Sequence, residues 1–288
     1  WHISNYMVNE PAMRLAQKLV NATFADRVFL CNSGTEANEG ALKTARKYAS
    51  TKYGEQKHRI ISTTNSFHGR TWLAVSTGGS PKYTKGMGPV PEGITHIPYN
   101  DVDALRAVMD DNVACVILEP MQGEGGMYPG SAEFLGAARE LCDKHNALLI
   151  FDEIQSGVGR TGALYSYMRK GVTPDILTSA KGIGGGFPIG CFMARAEVAE
   201  VMRPGTHGTT YGGNGKSNFA LPDLQGRAPM HPGQGPGLSL HDLGETGGSE
   251  TVSLLESEIP SHVHALNTIN EIGEDRLLNN TEAMARST

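Results

Sequence analysis

Short apolar runs alternate with helix-like stretches along residues 10–202, and this alternation restricts the possible folds more than any other feature of the sequence. Seven runs have the length of a β-strand, at residues 27–31, 60–62, 95–97, 113–118, 147–151, 176–178 and 189–194. Apolar residues at helical spacing predict helices at 10–22, 37–48, 102–109 and 132–145. This alternation indicates an α/β fold, with a seven-stranded, mostly parallel sheet and helices on both faces.

One of the strand-length runs ends at a carboxylate. The run at 147–151 leads directly into Asp152, and Lys181 stands between Ala180 and Gly182 after the next run. Ligands collect at the carboxyl ends of strands in open α/β sheets. A lysine amine binds pyridoxal phosphate covalently while a carboxylate keeps the ring nitrogen protonated, so the pair predicts a site for that cofactor. The alternatives are a capping role for Asp152 and a solvated surface position for Lys181.

A second candidate site lies where the first strand turns into a helix. Asn32, Ser33, Gly34 and Thr35 connect the run at 27–31 to the helix that follows. The unpaired amides and the dipole of a helix N-terminus both favour an anion, so this turn predicts a phosphate site. Plain helix capping by Ser33 is an equally good interpretation of the turn by itself.

The composition is that of an ordinary globular protein, and it argues against nucleic acid and membrane partners. The chain has 288 residues and a net charge of −5, without the basic surplus of a protein that binds nucleic acid. No apolar run approaches the roughly 20 residues of a membrane-spanning helix, and we recognise no signal peptide. The four cysteines lack CxxC spacing, which indicates reduced core thiols and a cytoplasmic setting, and we predict no metal site. Because the sequence begins at Trp1, we expect it to be a piece of a longer protein.

The texture of the sequence changes after Met202. Residues 203–260 are crowded with Gly and Pro, as at 233–237, and helical or strand periodicity nearly disappears. A segment of this composition seldom builds a sizeable core of its own. We therefore predict a boundary within 207–215, followed by a mostly irregular C-terminal segment.

Five motifs precede that boundary, at residues 33–39, 67–71, 119–126, 152–157 and 179–186. On these motifs and their order, residues 1–207 resemble the large, cofactor-binding domain of the class III aminotransferases, which use pyridoxal phosphate, and most closely the acetylornithine aminotransferases among them. The resemblance implies the fold type I architecture of those enzymes in a truncated form.

The resemblance also implies a role for each residue around the cofactor. The turn of Ser33, Gly34 and Thr35 would bind the phosphate, and Phe67 would stack on the pyridine ring. His68, next to it, is predicted to be structural. The other implied roles are Asp152 at the ring nitrogen, Ile154 under the ring, Gln155 near the phenolic oxygen and Lys181 as the covalent attachment.

Substrate contacts and a partner subunit follow from the same resemblance. Arg70 would bind the substrate α-carboxylate through two parallel hydrogen bonds, and Glu119 would neutralise or release it between the half-reactions. The alternative for Arg70 is a surface arginine without a role, and the alternative for Glu119 is a structural salt bridge in a helix or loop. Thr210, within 207–214, would contact the phosphate of the neighbouring subunit in a homodimer. The implied reaction moves the ω-amino group of acetylornithine or a related amine to 2-oxoglutarate, as in arginine biosynthesis.

A second resemblance begins inside the boundary region. Residues 208–227, 243–252 and 260–266 resemble the phage tail collar family, whose members are structural, trimer-forming fibre modules, and the segment 208–214 fits both families. The chain is therefore predicted to be a chimera with weak or absent turnover. Its parts are an aminotransferase domain at 1–207, a shared junction at 208–214, a partial collar-like segment at 215–267 and a tail at 268–288. A structural collar-type protein and an inactive cofactor-binding remnant are the alternatives.

Overall fold

The computed structural model of the chain describes residues 10–203, 206–211 and Ser239. The predicted collar-like segment at 215–267, apart from Ser239, and the tail at 268–288 lie outside these residues. The same holds for the last three residues of the shared junction. The predicted domain boundaries therefore stay predictions.

Seven strands form one sheet in the described part of the chain. In chain order the strands are β1 (Arg27–Cys31), β2 (Arg59–Thr63), β3 (Ile94–Ile97), β4 (Val113–Leu118), β5 (Met121–Gln122), β6 (Tyr128–Pro129), β7 (Leu148–Asp152), β8 (Ile176–Ser179) and β9 (Gly190–Ala194). The sheet order is β1-β9-β8-β7-β4-β2-β3, while β5 and β6 form a separate hairpin. Among the strands described in this sheet, β9 runs in one direction and the other six run in the opposite direction. The predicted seven-stranded, mostly parallel sheet is confirmed.

The helices of the described residues match the predicted ones and add shorter elements. They are α1 (Glu10–Ala22), α2 (Gly34–Tyr53), α3 (Trp72–Thr77), α4 (Val102–Val108), α5 (Ala132–Lys144), α6 (Tyr167–Lys170) and α7 (Ala196–Ala199). One-turn 3-10 helices span Pro81–Tyr83 and Lys181–Gly184. The predicted helices correspond to α1, α2, α4 and α5, of which α4 and α5 end one residue earlier than predicted.

Successive residues of the central strands face opposite sides of the sheet, and helices cover both sides. Ile117 and Ile150 belong to a core cluster with residues of α2 and α7. Val116 and Leu149 belong to a second cluster with residues of α1, α4 and α5. Side chains alternate between the two faces of a strand, so each strand contributes to both cores. The prediction of helices on both faces is confirmed.

The strand directions bring several loops to one edge of the sheet. β1, β2, β4, β7 and β8 are parallel to one another, so all of them end at this edge. β9 runs the other way and begins there with Gly190. The turn after β1, the loops after β7 and β8, and the approach to β9 therefore meet at a single place.

The described residues include no helix long and apolar enough to cross a membrane. All four cysteines belong to this part of the chain, and they are buried and form no disulfide. Burial raises the pKa of each thiol, which keeps the thiols protonated and unreactive. They are core thiols, as the sequence predicts.

At the opposite edge of the sheet, a buried lysine joins the segments that enter three strands. Lys57 is 2% exposed, and its Nζ donates hydrogen bonds to the carbonyls of Asp111 at 2.8 Å and His145 at 2.7 Å. These residues precede β2, β4 and β7. Burial lowers the pKa of Lys57, and the carboxylates of Asp111 and Asp110 oppose that effect. The amine thus satisfies two carbonyls that no strand or helix pairs.

The substitution Lys57→Met tests this role. Methionine keeps most of the side-chain volume but leaves both carbonyls without the donor. We expect the free energy of unfolding to fall by about 3 kcal/mol, since each buried acceptor left unsatisfied costs about 1–3 kcal/mol. Urea denaturation measures the change. Lys85 is exposed, so Lys85→Met should change the free energy by less than about 0.5 kcal/mol. Equal effects of the two substitutions would contradict the assignment.

Candidate active site

One cavity at the edge where β7 and β8 end is lined by ten of the eleven predicted site residues. Its volume is about 410 Å³, within the range of small-molecule sites. The ten residues are Ser33, Gly34, Thr35, Phe67, Arg70, Glu119, Asp152, Ile154, Gln155 and Lys181. Thr210 does not line the cavity, and its predicted contact is with another subunit.

Asp152, the last residue of β7, is held by hydrogen bonds on both carboxylate oxygens. Its Oδ2 accepts from Asn38 Nδ2 at 2.8 Å and from His68 Nδ1 at 2.7 Å. Its Oδ1 accepts from the amide of Ile154 at 3.1 Å and lies 3.4 Å from Thr178 Oγ1. Asp152 is 4% exposed, and the donors Asn38, His68 and Ile154 compensate the burial of its charge. The capping alternative accounts for one of these bonds, the one from Ile154.

His68 has a second hydrogen-bond partner besides Asp152. Its Nε2 lies 3.3 Å from Ser62 Oγ on β2. Burial lowers the pKa of His68, but the hydrogen bond and charge of Asp152 and the charge of Glu119 outweigh burial, so the pKa is raised. His68 therefore holds a proton against the buried carboxylate more readily than a free histidine would.

Asn38 was not singled out by the sequence, and it completes the support of Asp152. Its amide nitrogen donates to Asp152, and its Oδ1 accepts from Thr178 Oγ1 at 2.8 Å. Asn38 lies within the motif at 33–39, but 114 residues separate it from Asp152. Nothing in the local pattern links the two positions, because only the packing of α2 on the sheet brings them together.

The start of α2 combines a helix cap with free amides. Ser33 Oγ accepts from the amide of Glu36 at 3.4 Å, and the Glu36 carboxylate accepts from the amide of Asn32 at 2.9 Å. The capping interpretation of Ser33 is therefore correct. This cap leaves donors for an anion, since the amides of Gly34 and Thr35 donate no hydrogen bond to the described residues. Two free donors and the dipole of a 20-residue helix face the cavity.

Two glycines let longer side chains enter the site. A Cβ on Gly34 would lie 2.8 Å from Ile154 Cδ1, so any larger residue there would displace Ile154. A Cβ on Gly123 would lie 1.3 Å from Gln155 Oε1, where no side-chain atom fits. Ile154 and Phe67 give the cavity apolar surfaces, and Gln155 gives it an amide group.

Lys181 enters the cavity from the loop after β8, where it begins a one-turn 3-10 helix. Its φ is 50°, in the left-handed region that residues with a Cβ rarely adopt. The amine makes no hydrogen bond or ion pair with the described residues. Lys181 is exposed, as the surface alternative requires, yet it lines the cavity beside Ala180. Strained backbone of this kind is concentrated at functional sites.

Arg70 lines the cavity beside two aromatic rings. Its guanidinium carbon lies 4.1 Å from the ring centroid of Tyr83 and 5.5 Å from that of Phe67. The amide of Arg70 also donates to Thr35 Oγ1 at 3.2 Å, which joins this segment to the start of α2. Cation–π contacts of this kind hold a guanidinium in place without forming hydrogen bonds to its N–H groups.

Glu119 is buried in the same cavity and is not ion-paired with Arg70, both residues being described. Its Oε2 accepts from the amide of Phe67 at 3.1 Å. Burial raises the pKa of Glu119 to about 7, while the charge of His68 opposes burial and that of Asp152 adds to it. Glu124, from the same motif but without a predicted role, also lines the cavity.

The groups around the cavity match the parts of pyridoxal phosphate. The free amides of α2 suit a phosphate, the Asp152 carboxylate suits a protonated ring nitrogen, and the Lys181 amine suits an aldehyde. Apolar side chains supply surfaces for a ring. Among the described residues, no cluster of three or more His, Cys, Asp or Glu side chains could hold a metal ion. The residues present therefore fit this organic cofactor.

Known proteins share this sequence over most of its length. A family model described as aminotransferase class-III matches residues 1–221. The succinylornithine transaminase/acetylornithine aminotransferase of Pseudomonas aeruginosa is 61% identical over 214 residues, which cover 74% of this chain and 53% of that protein. The succinylornithine transaminase of Salmonella typhimurium is 60% identical, with 74% and 52% covered. The chain thus spans about half the length of the curated relatives it matches.

Solved structures share the fold. The ornithine aminotransferase from Toxoplasma gondii superposes with a TM-score of 0.69 at 39% identity, covering 74% of this chain and 52% of that chain. The N-acetylornithine aminotransferase from Stenotrophomonas maltophilia gives a TM-score of 0.60 at 46% identity, covering 70% and 50%. The family predicted from the five motifs is confirmed: the chain belongs to the class III aminotransferases, whose cofactor is pyridoxal 5'-phosphate.

Proposed function

We propose that the chain carries the cofactor site of a transaminase that moves the ω-amino group of acetylornithine or a related amine to 2-oxoglutarate. The observation that carries the proposal is the meeting of Asp152, Lys181 and the free amides of α2 in one cavity. The donor class is supported by the names of relatives such as the acetylornithine aminotransferase of Pseudomonas putida, which is 61% identical over 214 residues. By the same likeness, the reaction would serve arginine biosynthesis.

Bound pyridoxal phosphate supplies an electron sink for the negative charge that develops on the substrate carbon. The amides of Gly34 and Thr35 would bind its phosphate, and the Asp152 carboxylate would keep a proton on the ring nitrogen, which strengthens the electron sink. Asn38 and His68 hold that carboxylate in place. Phe67 and Ile154 would pack against the ring, and Gln155 would lie near its phenolic oxygen.

Lys181 has two tasks in the proposed reaction. Its Nζ would hold the cofactor covalently. The same amine would act as the base that takes a proton from the substrate carbon, and then as the acid that gives it up again.

Arg70 selects substrates that carry a carboxylate. The rings of Phe67 and Tyr83 hold the guanidinium through cation–π contacts, and its N–H groups donate to no described residue, so they are available for two parallel hydrogen bonds. Glu119 lies in the same cavity with a pKa raised by burial to about 7, so it changes charge near neutral pH. The charge on Glu119 alters how strongly the site attracts a second carboxylate. Between the half-reactions, Glu119 would either neutralise the charge of Arg70 or leave Arg70 available for a substrate carboxylate.

The working form is proposed to be a homodimer, with Thr210 of one subunit at the phosphate of the other. Thr210 is described and does not line the cavity of its own chain, which leaves it available for this contact. The cytoplasmic setting is proposed from the four buried thiols.

The second candidate is a chimera of this aminotransferase with a tail collar-type segment, joined at 208–214. Its support is the collar-like sequence at 215–267, together with relatives that align over 214 of the 288 residues. Single long sequencing reads across the codons for 208–214 test whether the junction is natural. Reads from native DNA that cross both sides would rule out an assembly artefact, and reads that never do would establish one.

The first prediction of the proposed function concerns cofactor attachment. Purified protein mixed with pyridoxal phosphate should develop the near-visible absorbance band of a lysine-bound cofactor, and Lys181→Ala should abolish it. Lys85→Ala, which removes an exposed lysine, should leave the band unchanged. A band of full intensity in Lys181→Ala, or none in the wild type, would refute the cofactor site. A transfer assay with acetylornithine and 2-oxoglutarate then separates a working enzyme from an inactive remnant that binds the cofactor.

The second prediction concerns the buried carboxyl group. The folded pKa of Glu119 is about 7 against an ordinary value of 4.5, so the folded chain keeps this proton where the unfolded chain has lost it. The apo protein therefore loses stability as pH rises from about 4.5 to about 7, by up to about 3 kcal/mol at ~1.4 kcal/mol per pKa unit. Glu119→Gln cannot ionise, so its unfolding free energy relative to the wild type should increase over this range.

Urea denaturation at pH 5 and pH 8 measures this relative stability. Glu133→Gln removes an exposed carboxylate at the start of α5, and its relative stability should change by far less. A Glu119→Gln variant whose stability relative to the wild type is independent of pH would show that this carboxyl titrates normally in the folded chain.

A further inference from the structure

A short segment after the last described helix returns to the active-site edge of the sheet. We call residues 206–211 the strap. Thr209 Oγ1 donates to the carbonyl of Leu30 at 2.5 Å, and the Tyr211 hydroxyl donates to the carbonyl of Pro188 at 2.6 Å. The ring of His207 packs against Phe29 with centroids 5.3 Å apart. The strap therefore bonds both the end of β1 and the segment that leads into β9.

Tyr211 is the buried end of the strap. It is 7% exposed, and its ring lies 6.2 Å from that of Phe187 in a tilted arrangement. Burial raises the pKa of Tyr211, so the hydroxyl keeps its proton and remains a donor. Phe187 and Pro188, which Tyr211 contacts, line the cavity, as does Ile189. Tyr211 thus stands directly behind one wall of the cofactor site.

The wall that Tyr211 supports belongs to the loop that carries Lys181. Inside this loop the backbone bonds are local turns, such as Gly185 N to Gly182 O at 3.3 Å and Phe187 N to Gly184 O at 2.9 Å. Such turns fix the shape of the loop but not its place on the sheet. Gly185 also has open space around it and a left-handed φ of 55°. A loop this rich in glycine has a large conformational entropy to lose, so an anchor from outside restricts it strongly.

The other anchor of the strap lies next to the phosphate turn. Leu30, which accepts from Thr209, is followed by Cys31 and then by the turn at 32–35. This turn is in close contact with the start of β9, since a Cβ on Gly190 would lie 2.4 Å from the carbonyl oxygen of Ser33. One segment thus supports the binding place of the phosphate and the wall beside the lysine at the same time.

We propose that Tyr211 is a positioning residue of the cofactor site, which holds the loop of Lys181, Phe187 and Pro188 in the conformation that encloses pyridoxal phosphate. The inference rests on the proposed function of the same site. Thr209 assists by fixing the strap to β1. Tyr211 does not touch the reacting atoms, and it acts through the carbonyl of Pro188 and the ring of Phe187.

The test compares cofactor binding by the full chain and its variants. Tyr211→Phe keeps the ring and removes only the hydroxyl, and it should raise the dissociation constant for pyridoxal phosphate about threefold to tenfold, the effect of one hydrogen bond. Tyr211→Ala should raise it further. Tyr128→Phe removes a hydroxyl from a 59% exposed tyrosine and should leave the constant unchanged. Titration of the near-visible absorbance band gives all four constants.

A second readout separates positioning from general stability. Hydroxylamine removes the bound cofactor and bleaches the band, and a loosened wall should admit it several times faster in Tyr211→Phe than in the wild type at a temperature well below unfolding. Far-UV circular dichroism confirms that each variant is folded. If the wild type binds the cofactor and Tyr211→Phe matches it in affinity and bleaching rate, the inference is wrong while the proposed function stands. If the wild type binds none, the proposed function fails and the inference with it.

Discussion

The buried carboxylate of Asp152 is the charge around which the rest of the site is arranged. At 4% exposure it needs donors, and it obtains them from three separate parts of the chain. Asn38 comes from α2, His68 from the segment after β2, and the amide of Ile154 from the second residue after β7. A buried charge without these partners would be strongly unfavourable, so folding and the building of the site require the same contacts.

Much of the fold follows from the sequence because its periodicities are clear. Each of the seven apolar runs became a strand of one sheet, and the helices cover both faces. The direction of β9 did not follow, since an apolar run reads the same in a parallel and an antiparallel strand. The direction of β9 matters for the site. Because β9 is antiparallel to β8, it begins with Gly190 at the active-site edge, and the loop of Lys181 connects the two strands without crossing the sheet.

The sequence predicted the residues that would contact the cofactor. It did not predict the contacts by which other residues hold them in place. Gly34, Asp152 and Lys181 stand at strand or helix ends, where backbone geometry already points to a ligand. Asn38 and His68 act through contacts with a residue more than 80 positions away, which local patterns do not record. The proposed role of Tyr211 is harder still to predict from the sequence. Tyr211 bonds the backbone carbonyl of Pro188, and any residue type offers such a carbonyl.

At Lys181, the left-handed backbone and the proposed chemistry favour different residues. With φ at 50°, glycine is the residue that folding alone would favour there, by about 1 kcal/mol over a residue with a Cβ. Replacement of this lysine by glycine would therefore relax the backbone. Folding by itself does not favour lysine at position 181, and the proposed attachment of the cofactor is the role that would require it there.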